Sequence, residues 1–289
     1  MIPAMHITAW AGTAPWAEMG QIEQDLIISR AVIDIFNDEF LRNELRFRGG
    51  TALNKLHFPE PLRYSEDIDL VRTTHGPIGP ILDRLREVLH WLGDAAFEQS
   101  PVAPKLIYQI APEDGGPRLR LKVEINTRET QAFDGPYEAG YVVENPWFAG
   151  SAEIPTFTAE EMLATKLRAL LQRDKGRDLL DLSHALSVLD DLDAVRVAKL
   201  FGSYLDQAGQ AISRANAEER MWAKLENRGF LSDIRPLLAA DVAQKLTDDE
   251  VMDAYRRVFT EVIALITGNP WAQTSEMAAQ YGVVIGVDR

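Results

Sequence analysis

Arg48-Gly49-Gly50-Thr51-Ala52-Leu53, followed by Tyr64-Ser65-Glu66-Asp67-Ile68-Asp69-Leu70, is the stretch on which the reading of this chain turns. A glycine pair opening a helix lets backbone N–H groups approach an anion closely, and the helix dipole favours negative charge there. Ile68-Asp69-Leu70-Val71 alternates like a short strand, so Asp67 and Asp69 share one of its faces. Carboxylates side by side repel each other unless a cation or solvent relieves them. A hard divalent cation such as Mg2+ takes oxygen ligands and leaves positions for triphosphate oxygens. Taken singly, Asp-x-Asp is more often a solvated strand end and a glycine pair often a plain turn. Their order here, with a strand glutamate downstream, is what sets the region apart.

Working outward, Gln21–Leu45 reads as one helix, with Ile22, Leu26, Ile27, Ala31, Ile33, Phe36 and Leu41 at three- and four-residue steps. Phe58-Pro59-Glu60-Pro61 is a loop, and Ile81–Leu92 an amphipathic helix. Lys105–Ile110 and Arg118–Asn126 form a predicted hairpin across the Pro112–Pro117 loop. In its second strand Leu119, Leu121, Val123 and Ile125 face one way, and Arg120, Lys122, Glu124 and Asn126 the other. Glu124, on that polar face, is the candidate third carboxylate, which would permit a two-metal site. From Thr158 the pattern becomes helical. Thr158-Ala159-Glu160-Glu161 is a capping-box signature for a helix to about Arg173, Gly176 interrupts, and a second helix runs to Leu189. The expected fold class is α+β: a mixed-sheet domain over 1–155, then a helical bundle over 156–289.

With 289 residues, 46% apolar and 26% charged, the chain can bury a sizeable core. The absence of cysteine excludes disulfides and thiolate metal sites. Met1–Trp16 lacks a basic region followed by an apolar one, and no apolar run approaches about 18 residues. Neither a signal peptide nor a membrane span is therefore expected, and a cytoplasmic location is. A net charge of −14 argues against a bulk electrostatic hold on nucleic acid, while leaving room for a local basic groove or a basic protein partner. His6, His57, His75, His90 and His184 have no metal-ligand spacing. There is no Gly-x-x-x-x-Gly-Lys loop and no Gly-x-Ser-x-Gly elbow.

A second block lies in the helical half. Lys166 and Arg173 are seven residues apart on one helix face, and Asp178 with Asp181 on the next helix can face back. An interhelical ion cluster and a phosphate contact from Lys166 are both compatible with that spacing. Lys166, Arg168, Arg173, Lys175 and Arg177 also make a basic island in an acidic chain.

The first block resembles the nucleotidyltransferase signature and, more narrowly, that of the AbiEii/AbiGii toxin family, which includes the MenT toxins. Lys166-Leu167-Arg168-Ala169-Leu170, Arg173 and Arg177-Asp178-Leu179-Leu180-Asp181-Leu182 are similar to that family's third motif, and Glu23-Gln24-Asp25 to its lead-in helix. The resemblance implies a nucleotidyltransferase fold in the N-terminal half. It implies that Gly49, Gly50, Thr51 and Ser65 bind the triphosphate. Asp67 and Asp69, with Glu124, would ligate one or two Mg2+ ions. Lys166 would contact nucleotide phosphates, and Asp178 would be a required acid. It further implies transfer of NMP from an NTP to an acceptor hydroxyl with release of pyrophosphate, the tRNA 3′ end as acceptor, and a separate antitoxin protein. A protein or small-molecule hydroxyl, mildly favoured by the acidity, and a non-catalytic NTP-binding role are the alternatives. Two features depart from the family pattern. Sixteen residues separate Gly50 from Asp67, longer than the general spacing, and Lys122-Val123-Glu124 carries glutamate where the family has aspartate.

Overall fold

The helix expected over Gln21–Leu45 is two helices, because Asp38 breaks it. The structure is a computed structural model and describes residues 2–227, 230, 235–239, 242–243 and 246–284. In it α1 spans Ala4–Trp10, α2 Met19–Asn37 and α3 Glu39–Glu44. Asp38 adopts extended backbone and its carboxylate accepts the Leu41 N–H at 3.0 Å. An aspartate cap satisfies an orphan donor of the new helix and so competes with continuation of the old one.

The chain forms two compact units, Met1–Thr158 with Leu237–Ala240, and Ala159–Pro236 with Asp241–Arg289. The first holds a mixed five-stranded sheet in the order β1-β2-β5-β4-β3. Its strands are β1 (Leu45–Arg48), β2 (Asp67–Arg72), β3 (Ala96–Glu98), β4 (Lys105–Ile110) and β5 (Leu119–Asn126). β2 and β5 run parallel and the other pairs antiparallel. β4 and β5 are the predicted hairpin. Between β1 and β2 come α4 (Gly49–Ala52) and a short π-helix, Leu53–His57. After β2 comes α5, Gly79–Val88.

The apolar face of the sheet, with Phe47, Leu70, Val123 and Ile125 fully buried, packs on the buried stripe of α2. Phe36 meets Phe47 there at 6.2 Å between ring centroids. Each such side chain contributes about 1.5–3 kcal/mol by leaving water. Gln24 of α2 donates to Glu66 O at 3.2 Å and to Arg120 O at 3.0 Å. One side-chain amide thus ties together the entries to the two parallel strands and helps hold their register. A second sheet, the hairpin β6 (Tyr137–Asn145) and β7 (Phe148–Thr156), was not foreseen from the sequence. Its alternation is broken by Gly140, Gly150 and Pro155.

The second unit is helical, as expected. It contains α6 (Ala159–Gln172), α7 (Gly176–Val188), α8 (Ala194–Gln207) and α9 (Arg214–Glu226). Helices Asp248–Glu261 and Thr274–Tyr281 follow. The side chains of Asp193, Ser213 and Thr247 cap three of these helices. Trp222, Tyr255 and Phe259 are buried together, the Trp222 and Phe259 rings 4.6 Å apart. Among the described residues no helix is long and apolar enough to cross a membrane.

Candidate active site

Gly49 opens the helix after β1 with φ +85°, a conformation that L side chains avoid. A Cβ there would also lie 2.2 Å from Asp69 Oδ2. Glycine is needed on both counts, for the backbone turn and for the close approach of the Asp69 carboxylate. Beside it, a Cβ on Gly50 would meet the Arg63 guanidinium at 2.6 Å and Ser65 Oγ at 3.3 Å. Thr51 is buried, donates to Asp67 O at 2.5 Å and shares a hydrogen bond with Ser65 Oγ at 2.8 Å. Thr51 and Ser65 therefore pin the glycine helix to the start of β2.

Strand register sets the electrostatics. Arg48, Asp69, Glu124 and Lys105 stand in one row across β1, β2, β5 and β4. In the next row Asp67 is paired with Lys122. Asp67, Asp69, Lys122 and Glu124 thus share a single sheet face, because side chains alternate along every strand. Lys122 Nζ lies 3.0 Å from Asp67 Oδ2 and 3.1 Å from Glu124 Oε2. Lys105 approaches Glu124 at 3.7 Å, and Arg48 pairs with Glu129 at 2.9 Å. Burial pushes the Asp69 carboxyl above the usual carboxylate range, and Asp67 and Glu124 push it further against the pull of Lys122 and Arg48. Burial acts to lower the Lys122 ammonium, but the surrounding carboxylates outweigh it and hold it above the usual lysine value.

Among the described residues no three carboxylate or imidazole side chains converge as a ready-made metal cage. Glu124, the third ligand expected from the sequence, is instead engaged by Lys122 and Lys105. The donor set still suits a hard dication: carboxylate oxygens on adjacent strands, with the Lys122 ammonium between Asp67 and Glu124 standing where a cation's charge would fall.

The third-motif residues lie in the second unit. Lys166 is buried, with Nζ 2.8 Å from Asp181 Oδ2 and 3.6 Å from Asp178 Oδ1. Arg173 donates Nε–H and Nη2–H to the two oxygens of Asp178, at 2.7 and 2.9 Å. Both aspartates are fully buried. The ion cluster allowed by the spacing is therefore present, and it takes Lys166 and Arg173 out of the basic island. Arg168 stacks over Tyr204 at 5.3 Å, and the Tyr204 hydroxyl donates to buried Glu161 at 2.9 Å.

Sequence reasoning passed over two features of the first unit. The alternation of β5 puts Lys122 on this face but gives it no task. Asp25 and Lys55 form a buried pair at 2.9 Å, joined by the indole N–H groups of Trp10 and Trp16 at 3.0 and 3.2 Å. Both charges line a cavity of about 160 Å³ with Thr51, Arg63 and Ser65. Nothing in the spacing of Asp25 and Lys55 announces a contact across 30 residues.

A glycine-opened helix against a strand bearing Asp67 and Asp69, in a mixed sheet, is an arrangement suited to nucleotidyl transfer. The family model described as nucleotidyl transferase AbiEii toxin, type IV TA system, matches residues 30–266, and the chain belongs to that family. It is a nucleotidyltransferase toxin of AbiEii type. MenT4, a nucleotidyltransferase toxin from Mycobacterium tuberculosis, has a similar solved structure. It shares 19% identity and a TM-score of 0.54, over 92% of this chain and 100% of that one. At that identity the likeness shows the fold. The structure of JHP933 from Helicobacter pylori shares 18% identity and a TM-score of 0.45, over 92% of this chain and 97% of that one. No curated protein matches the sequence.

Proposed function

We propose that the chain is an Mg2+-dependent toxin that moves NMP from an NTP to the 3′-terminal hydroxyl of tRNA, in the cytoplasm, under control of a separate antitoxin. The observation that carries the chemistry is Asp67 and Asp69 on one face of β2, Asp69 beside Gly49 and opposite Glu124 on the parallel strand. The acceptor and the antitoxin rest on the family resemblance alone.

In this reading Asp67 and Asp69 would hold the metal, with Glu124 on the parallel strand as the third ligand. The ion, when bound, supplies positive charge to the triphosphate. The N–H groups at Gly49 and Gly50 face the phosphates, with Thr51 and Ser65 fixing the helix that presents them. The acceptor hydroxyl oxygen attacks the α-phosphorus and gives its proton to solvent, the bond to the bridging oxygen breaks, and pyrophosphate leaves. Lys166 is assigned to the nucleotide phosphates: an ammonium has three N–H donors, and the aspartates that orient it occupy two directions. Asp178 holds Lys166 and Arg173 in place and so acts as a positioning residue.

Incubation of the purified chain with each α-labelled NTP and total cellular RNA, with and without Mg2+, tests this. Label in tRNA that disappears with EDTA and returns with Mg2+ is expected. Label in protein, or in nothing, overturns the tRNA assignment.

A further inference from the structure

We propose that the first unit carries a second ligand site, distinct from the catalytic face, that binds a small molecule bearing a carboxylate or phosphate through one edge of Arg72. Asp67 and Asp69 point to one side of β2; Arg72 points with Ile68 and Leu70 to the other. At the end of the strand Arg72 lines a cavity of about 450 Å³, together with Thr74, Ile78, Phe97, Ser100 and Pro104.

Arg72 is only 7% exposed, yet its guanidinium is half used. Nη1–H donates to Gly76 O. Among the described residues the buried Nε has no hydrogen-bond partner, and Glu44 Oε2 stands 3.8 Å from Nη2, within ion-pair range but beyond hydrogen-bond distance. Nε–H and Nη2–H point the same way and form the fork with which arginine grips a carboxylate or phosphate in bidentate fashion. That fork is the unsatisfied edge. Glu44 Oε2 stays outside hydrogen-bond distance of that edge while it accepts from the Thr74 hydroxyl. The loop also closes tightly on the guanidinium: Gly76 has φ +141°, and a Cβ there would sit 3.3 Å from Nη2.

The rest of the cavity says what else the ligand carries. Ser100 Oγ accepts from the Val102 and Ala103 N–H groups at 3.4 and 3.3 Å, leaving its own O–H to donate. Ile78, Phe97 and Pro104 are apolar walls, with Phe97 45% exposed at the rim. A monoanionic head on a flat apolar body matches both halves, with Glu44 nearby disfavouring a higher negative charge.

Benzoate and inorganic phosphate, titrated separately into the full-length 15N-labelled chain, test the site. Benzoate is expected to shift the Thr74–Gly76 and Ser100 amides saturably. Arg72→Gln should weaken binding at least tenfold, Ser100→Ala a fewfold, and Asp67→Ala not at all. Saturation by phosphate in place of benzoate, with the same variant pattern, supports the site and assigns it to a phosphate-bearing ligand. Saturation by neither anion overturns the proposal, as does binding that survives Arg72→Gln and Ser100→Ala. Should Arg72→Gln fail to fold, Ser100→Ala and the wild-type shift map decide.

Discussion

Lys122 Nζ stands 3.0 Å from Asp67 Oδ2, placing a lysine where the proposed reaction needs a metal ion. The same ammonium reaches Glu124 at 3.1 Å. Without it, Asp67, Asp69 and Glu124 would share one sheet face with less positive charge, that of Lys105 and Arg48, to offset them. Lys122→Met should lower the stability of the metal-free protein by about 1–2 kcal/mol, between exposed and buried ion pairs. Added Mg2+ should then raise its melting temperature more than that of wild type, since ligand stabilisation follows site occupancy. Equal responses to Mg2+ would remove Lys122 from the role of counter-charge.

Asp67→Ala and Asp69→Ala are expected to lower transfer at least about 100-fold, since a bound metal is worth several kcal/mol to the transition state. Both should fold, because neither carboxylate belongs to the apolar core. Retained transfer in both variants, measured with labelled NTP, would dismiss the metal assignment.

Gly49→Ala should be as inactive as Asp69→Ala for a different reason. A side chain at φ +85° is strained by about 1–2 kcal/mol, and its Cβ would displace Asp69 from 2.2 Å away. A crystal structure of the variant should show the Asp69 carboxylate moved. An unmoved carboxylate with lost activity would place the role of Gly49 elsewhere.

Arg173→Ala is expected to cost about 2 kcal/mol, less than a fully buried break because Arg173 is itself half exposed. Among the described residues Asp178, fully buried, would keep Lys166 at 3.6 Å as its remaining ion-pair partner. Urea unfolding reads the loss. A variant that unfolds like wild type but has lost transfer would make Arg173 a functional group.

His57 sets a pH dependence of stability. Burial holds its imidazole down at about 4 from an ordinary 6.5, against a hydrogen bond with the Phe157 backbone, while its ring stacks 5.9 Å from Tyr137. Between those values the unfolded chain binds a proton that the folded chain refuses, so stability falls as pH drops from 6.5 towards 4. The loss amounts to at most about 3 kcal/mol. His57→Phe keeps the stacking and should flatten this limb in urea titrations at pH 7.5 and 4.5. An unchanged slope would assign the acid sensitivity to other groups.

The sequence by itself determined the local parts of this protein. Gly49-Gly50, the alternation of Asp67–Val71 and of Leu119–Asn126, and the helix pair around Gly176 are written in neighbouring residues, where conformational preference and side-chain period act directly. Those parts gave the α+β class and the candidate residues. Spacing also allowed Lys166, Arg173, Asp178 and Asp181 to meet, since two helices joined by a short break bring their facing positions together.

Tertiary structure decided which groups across the chain neutralise one another. That β2 lies parallel to β5, so that Asp69 faces Glu124 and Asp67 faces Lys122, depends on strand order, which no local pattern encodes. The buried pair of Asp25 and Lys55, and the half-used guanidinium of Arg72, likewise follow from packing between distant segments. The hairpin β6–β7 escaped notice for a related reason: its glycines and proline blur the alternation, and pairing along nine residues of each strand supplies the order that propensity lacks. Charge compensation acts over a few ångströms in space but over tens of residues in sequence, so it is settled only when the chain has folded.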